Sequence, residues 1–83
     1  MSNTERNYFI GGYQAAKALE KIWRKCGRFA CVAHPRGIDF FNTEETSPSE
    51  AVQRLAHDYD ASYMTVYGWI KNLTVENACF SLN

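Results

Sequence analysis

Four side chains of the kind that hold metals, Cys26, Cys31, His34 and His57, lie in the middle of this 83-residue chain. A tetrahedral zinc site could be assembled from them on paper. Their spacing, however, is not that of a finger or a ribbon, and the third cysteine, Cys79, is far away in sequence. Small buried thiols and a turn histidine are the simpler expectation, so no metal is assigned. Catalysis has less support. No nucleophile sits in a recognisable elbow, no glycine loop is built to cradle phosphate, and 83 residues leave little room for a cleft. Neither an enzyme activity nor a cofactor is expected.

Charge carries more information. Lys17, Lys21, Arg24 and Arg28 recur at three- and four-residue steps, which on a helix makes one basic ridge, and Arg36 follows in a turn. Such a ridge is usually a solvated face, yet it is also how a chain meets a polyanion. The zero net charge hides a division. Residues 1–38 hold seven bases against Glu5 and Glu20, whereas residues 39–83 hold seven acids against Arg54 and Lys71. A second line, Tyr63, Tyr67 and Lys71, runs at four-residue steps. It is expected to be exposed, because the two tyrosines fall outside the apolar stripe, and Tyr gives contact area at small entropic cost.

These side chains need elements to carry them. The segment Tyr13–Cys26 places Ala15, Ala18, Leu19, Ile22, Trp23 and Cys26 on one helical face, with Gly27 as a C-terminal cap. Gly11-Gly12 should break any earlier helix, making residues 1–12 an arm or strand. β-formers on both sides of Pro35-Arg36-Gly37 predict a short hairpin, although a coil with one strand would look similar. After a polar linker, Ser47-Pro48-Ser49-Glu50 marks a helix start through a cap, a first-position proline and a capping box. That helix runs to about Tyr59. A turn at Asp60-Ala61 precedes a last helix, capped by Ser62 and ending near Asn72. The tail alternates at Ala78, Phe80 and Leu82, which suits an edge strand or a dimer contact. The fold class expected is mainly α with a small β-hairpin (α+β): an N-terminal helix, the hairpin, then a C-terminal helix pair in one domain.

The helix pair has requirements of its own. A small residue, Ala56, must sit at the crossing. Leu55, Tyr59, Ala61, Val66 and Trp69 must face inward, and Asp60 must tolerate a left-handed backbone. With "ASYMTVYGWIKN" following, residues 50–72 resemble the helix-turn-helix DNA-binding proteins of phages, plasmids and transposons. The resemblance implies that Ser62, Tyr63, Met64, Thr65, Tyr67, Gly68 and Lys71 lie on or near the face that enters the major groove. Lys17, Lys21, Arg24, Arg28 and Arg36 would then be phosphate contacts. Members of that family carry Arg, Lys, Gln or Asn where this chain has Tyr63, Met64 and Gly68, and Asp58 and Asp60 flank the helix.

Two functions are therefore expected from different classes. The first is a small dimeric regulator bound to double-stranded DNA. The second is an inhibitor or adaptor of a host protein, using the acidic, tyrosine-bearing half as its interface. No small-molecule substrate and no membrane partner is expected. The N-terminus carries an acid and lacks a long apolar core, and no apolar run approaches a membrane span. Three cysteines are an odd and sparse set for a disulfide scaffold, so the expectation is free thiols in a soluble, cytoplasmic protein.

Overall fold

Leu19, Leu55, Val66 and Ile70, each no more than 1% exposed, belong to one buried cluster, and the chain is arranged around them. The computed structural model describes residues 11–79. Its elements are α1 (Tyr13–Trp23), β1 (Phe29–His34), β2 (Gly37–Asn42), α2 (Pro48–Asp58), α3 (Tyr63–Lys71) and α4 (Val75–Ala78). The class is α+β, with helices packed around a two-stranded antiparallel hairpin.

α1 buries Ala15, Ala16, Leu19 and Trp23, while Ala18 and Ile22 are partly buried beside the core. It departs from expectation at both ends. Residues 1–10 of the expected arm lie outside the described residues, but Gly11 and Gly12 belong with the helix. They form a wide helical turn leading into it, and Gly12 has the helical angles φ −65° and ψ −38°. The reason is contact. A Cβ on Gly11 would lie 2.8 Å from the backbone nitrogen of Met64 and 2.9 Å from the carbonyl carbon of Tyr63. Only glycine lets α1 come this close to the start of α3. At the other end, regular helix stops at Trp23. The amides of Lys25 and Cys26 bond three residues back, to Ile22 and Trp23, so the last turn is tightened.

The hairpin forms as the β-formers predict. Its strands pair from Phe29↔Asn42 to His34↔Gly37 around the two-residue turn Pro35-Arg36. Gly37 has a φ of 144°, a value that favours glycine. Ala30, Val32 and Phe41 face the core. The linker is held down by Thr43, whose hydroxyl donates to the carbonyls of Gly27 and Arg28.

At the start of α2 the Ser47 half of the expected capping box is formed, with Ser47 Oγ accepting the Glu50 amide at 3.2 Å and Pro48 in the first turn. The helix ends at a left-handed Asp60 with φ 49°. The Ala61 amide reaches back to the Ala56 carbonyl at 2.9 Å and the Asp60 amide to that of His57 at 3.3 Å. This is the paired C-terminal bonding that a left-handed residue permits. Ala56 is 8% exposed, so the expected small residue is buried.

As far as Ala78 the tail is helical rather than extended. Thr74 Oγ1 accepts the Asn77 amide and Asn77 Oδ1 accepts the Thr74 amide, a reciprocal cap that starts a short helix instead. Cys79, the last of the described residues, is extended and bridges Ala30 on the edge of β1 opposite to β2, where an edge strand would pair. Phe80 and Leu82 lie outside the described residues. The cysteine expectation is overturned in part: Cys26 and Cys79 are joined as a disulfide, and only Cys31 is a free thiol. Sequence distance is misleading here, because the fold returns the tail to the end of α1. Among the described residues no helix is long and apolar enough to cross a membrane.

Candidate functional site

The expected contact residues of α3 fall into two sets. Ser62 caps the helix, its Oγ accepting the Thr65 amide at 3.1 Å and lying 2.9 Å from Thr65 Oγ1. Ser62, Met64, Thr65 and Lys71 are exposed, Met64 by 51%. Tyr63 and Tyr67 are not the exposed pair expected. Both are partly buried against the core cluster. The cause is α1, which packs along α3 and takes up surface that a helix pair alone would leave open. Lys71 extends over the Tyr67 ring, its Nζ 5.9 Å from the centroid. The expected line of three thus survives as a lysine lying across a half-covered tyrosine.

The ridge on α1 is solvated but not uniform. Arg24 pairs with Glu20 at 2.6 Å, and Arg28 pairs with Glu44 at 3.4 Å. Lys17 lies 5.1 Å from the Tyr13 ring centroid, and its hydrogen bond with Tyr13 raises its pKa, keeping it charged. Lys21 shares this exposed face. Arg36 points elsewhere. Its Nη1 donates to the Tyr59 carbonyl at 2.9 Å and its guanidinium covers the Tyr59 ring at 5.4 Å. The five bases are therefore not one surface. Lys17, Lys21, Arg24 and Arg28 remain with α1 and its end, and Arg36 braces the turn after α2.

Arg36 belongs to a cluster that the sequence pattern does not reveal. The His34 side chain is fully buried. Its Nδ1 accepts the Arg36 backbone amide at 3.2 Å, which leaves the proton on Nε2 to donate to Asp39 Oδ2 at 2.8 Å. Tyr59 Oη donates to the same oxygen at 2.7 Å. That bond raises the Tyr59 pKa, with burial adding to it. The imidazole stacks on Trp69 and meets the edge of Tyr59. Rather than a simple turn histidine, this one is a keystone between the hairpin tip, the end of α2 and the inner side of α3. The available signal is Asp39, a lone acid in the otherwise apolar run "GIDFF". An acid so placed needs buried donors.

Between the end of α2 and the start of α3 lies an open cleft of about 640 Å³, lined by Gln53, His57, Asp58, Asp60, Ser62 and Tyr63 among others. Its lining is mixed, with Asp58 and Asp60 accompanied by Arg54 and by the apolar Ala56 and Ala61. Among the described residues no group of three or more His, Cys, Asp or Glu side chains could hold a metal ion. Chemically the surface offers hydroxyls, one thioether and separated cations, which suits binding. The chain matches no protein-family model, no curated protein and no solved structure.

Proposed function

We propose that the protein is a small DNA-binding module in which α2, the turn at Asp60 and α3 work as a helix-turn-helix, with two copies reading neighbouring half-sites. The observation that carries this reading is the turn. A left-handed Asp60 with the buried Ala56 behind it leaves the exposed residues Ser62, Met64 and Thr65 together at the start of α3. That end is the one a recognition helix presents to base edges. Lys71 on α3 and Lys17 and Lys21 on α1 supply cations for phosphate. The test is fluorescence anisotropy on mixed-sequence duplexes as salt is raised, followed by selection of a preferred site. The reading expects a falling log–log slope and an enriched sequence. Binding to no duplex at low salt sinks it.

A second reading is favoured by a different observation. Arg24, Arg28 and Arg36 are engaged within the chain, and Asp58 and Asp60 border the cleft beside α3. On this reading the same surface inhibits or adapts a host protein that carries a basic patch. Capture of one protein from host lysate, undiminished by nuclease treatment, supports it over the first.

A further inference from the structure

α1 and α3 are pinned to each other at two places. At one end Gly11 seats against Tyr63 and Met64. At the other, the Cys26–Cys79 disulfide ties the residues just past α1 to the short segment that follows α3. The first pin is permanent packing. The second is a covalent bond that a thiol can open. We infer that this disulfide is a redox latch, which fixes the segment after α3 when oxidised and releases it when reduced, with the rest of the domain remaining folded.

Three features support a latch rather than a general staple. First, although the bond closes a loop of sequence separation 53, the tail segment that it ties back to α1 is small. α4 has four residues and contributes Ala78 to the core, with Leu73 just before it. The larger core residues Leu19, Val32, Val52, Leu55, Val66 and Ile70 all belong to elements outside residues 73–79. Secondly, Cys26 and Cys79 are both only partly buried, so a small dithiol or a dithiol reductase has an approach. Thirdly, strand alternation sets Cys31 on the face of β1 away from Ala30, the core-facing residue that bridges Cys79. There its Sγ donates to the Asn77 carbonyl at 3.3 Å, and burial raises its pKa, keeping it a thiol. Opening and closing therefore concern one pair of sulfurs.

The step balances simply. A thiolate of the reductant attacks one sulfur of the pair and forms a mixed disulfide, expelling the other sulfur as a thiolate. The reductant's second thiolate then displaces the remaining cysteine. Two electrons pass to Cys26 and Cys79, which take up two protons as thiols, and the reductant becomes a disulfide. Cys79 is then held to Ala30 by backbone pairing alone. The C-terminal end of α3, with Lys71, is freed from the covalent anchor that followed it.

The test is hydrogen exchange on the whole chain, oxidised and after reduction with dithiothreitol, with reduction confirmed by a mass gain of two hydrogen atoms. In the reduced protein, the amides of Ala78 and Cys79, which bond to Thr74 and Val75, should fall at least tenfold in protection. Amides of Leu19, Leu55 and Val66 should keep theirs, and reoxidation should restore the tail. A Cys26→Ser, Cys79→Ser double variant should match the reduced form, and Cys31→Ser should leave both forms unchanged. Unaltered tail protection on reduction would mean an idle bond. Collapse of protection everywhere would mean a staple for the whole domain. Either result overturns the latch, and neither depends on whether DNA is bound.

Discussion

The imidazole of His34 lies flat against the indole of Trp69, with ring centroids 4.5 Å apart and planes 16° from parallel. His34 comes from the hairpin tip and Trp69 from α3, so this contact joins the sheet to the last long helix. Replacing His34 with Ala removes the stack and one of the two side-chain donors to Asp39. A hydrogen bond to a charged group contributes about 1.5–3 kcal/mol, and urea denaturation should show destabilisation of about that size. A variant with the parent midpoint would show the cluster to be incidental.

The same cluster predicts a dependence on alkaline pH. The bond from Tyr59 to Asp39 raises the tyrosine's pKa above its ordinary value of 10.0. The unfolded chain therefore gives up this proton first as pH rises. Between the two values the folded state binds more protons, so stability is full below pH 10.0 and falls above it. Tyr59→Phe should be less sensitive to pH than the parent in that window. Equal slopes in chemical denaturation would refute the assignment.

Two glycines should respond to Ala with opposite signs. At Gly11 the new Cβ would press on the backbone of α3 at 2.8–2.9 Å, and overpacking of this kind costs about 1–3 kcal/mol. At Gly68, inside α3, a Cβ meets nothing within 4 Å. Gly68→Ala should then stabilise by up to about 1 kcal/mol through helix propensity. Thermal melts of the two variants give the check, and a shift in the same direction for both would count against the packing described.

Ala56→Leu tests the helix crossing. Ala56 is 8% exposed, and its carbonyl accepts the Ala61 amide in the turn. Added bulk there should cost about 1–3 kcal/mol and loosen the turn along with the core. A melt like the parent's would mean that the helices cross elsewhere.

On the DNA reading, the ridge residues should not be equivalent. Lys17→Gln with Lys21→Gln should lower the salt slope of binding by about two units, close to one for each phosphate no longer neutralised. Arg24 and Arg28 already face Glu20 and Glu44, so changing them should lower the slope less. A uniform response from all four would contradict the inequality that the ion pairs imply.

What the sequence disclosed was what short stretches decide for themselves. Ser47-Pro48 and Ser62 announce helix starts because a cap acts within three residues, and Pro35-Arg36-Gly37 announces a turn because its backbone preferences are local. Asp60 could be placed in a left-handed conformation on the same ground. What it withheld depends on partners distant in sequence. Gly11-Gly12 looks like a helix breaker until Met64 is seen against it. Tyr63 and Tyr67 look exposed while α3 is considered with α2 alone, and become half-covered once α1 is added. Cys26 and Cys79 look unrelated until the tail is brought back along β1. His34 could not be read as a keystone because its four partners come from the turn, β2, the residue that ends α2, and α3.

Arg36 reaches from the hairpin turn to the carbonyl of Tyr59, one residue before the left-handed Asp60. This one hydrogen bond bears on whether the α2–α3 segment is portable. Excised as a peptide or grafted onto another scaffold, residues 47–72 would carry their caps and their turn. They would leave behind Arg36, His34 and Asp39, and with them the cover over Tyr59 and Trp69. The indole would be wetted and the angle between the two helices would go unbraced. Where related chains arise by recombination, the hairpin and the helix pair should travel together, with any cut falling before Phe29 rather than in the polar linker that looks like the natural seam.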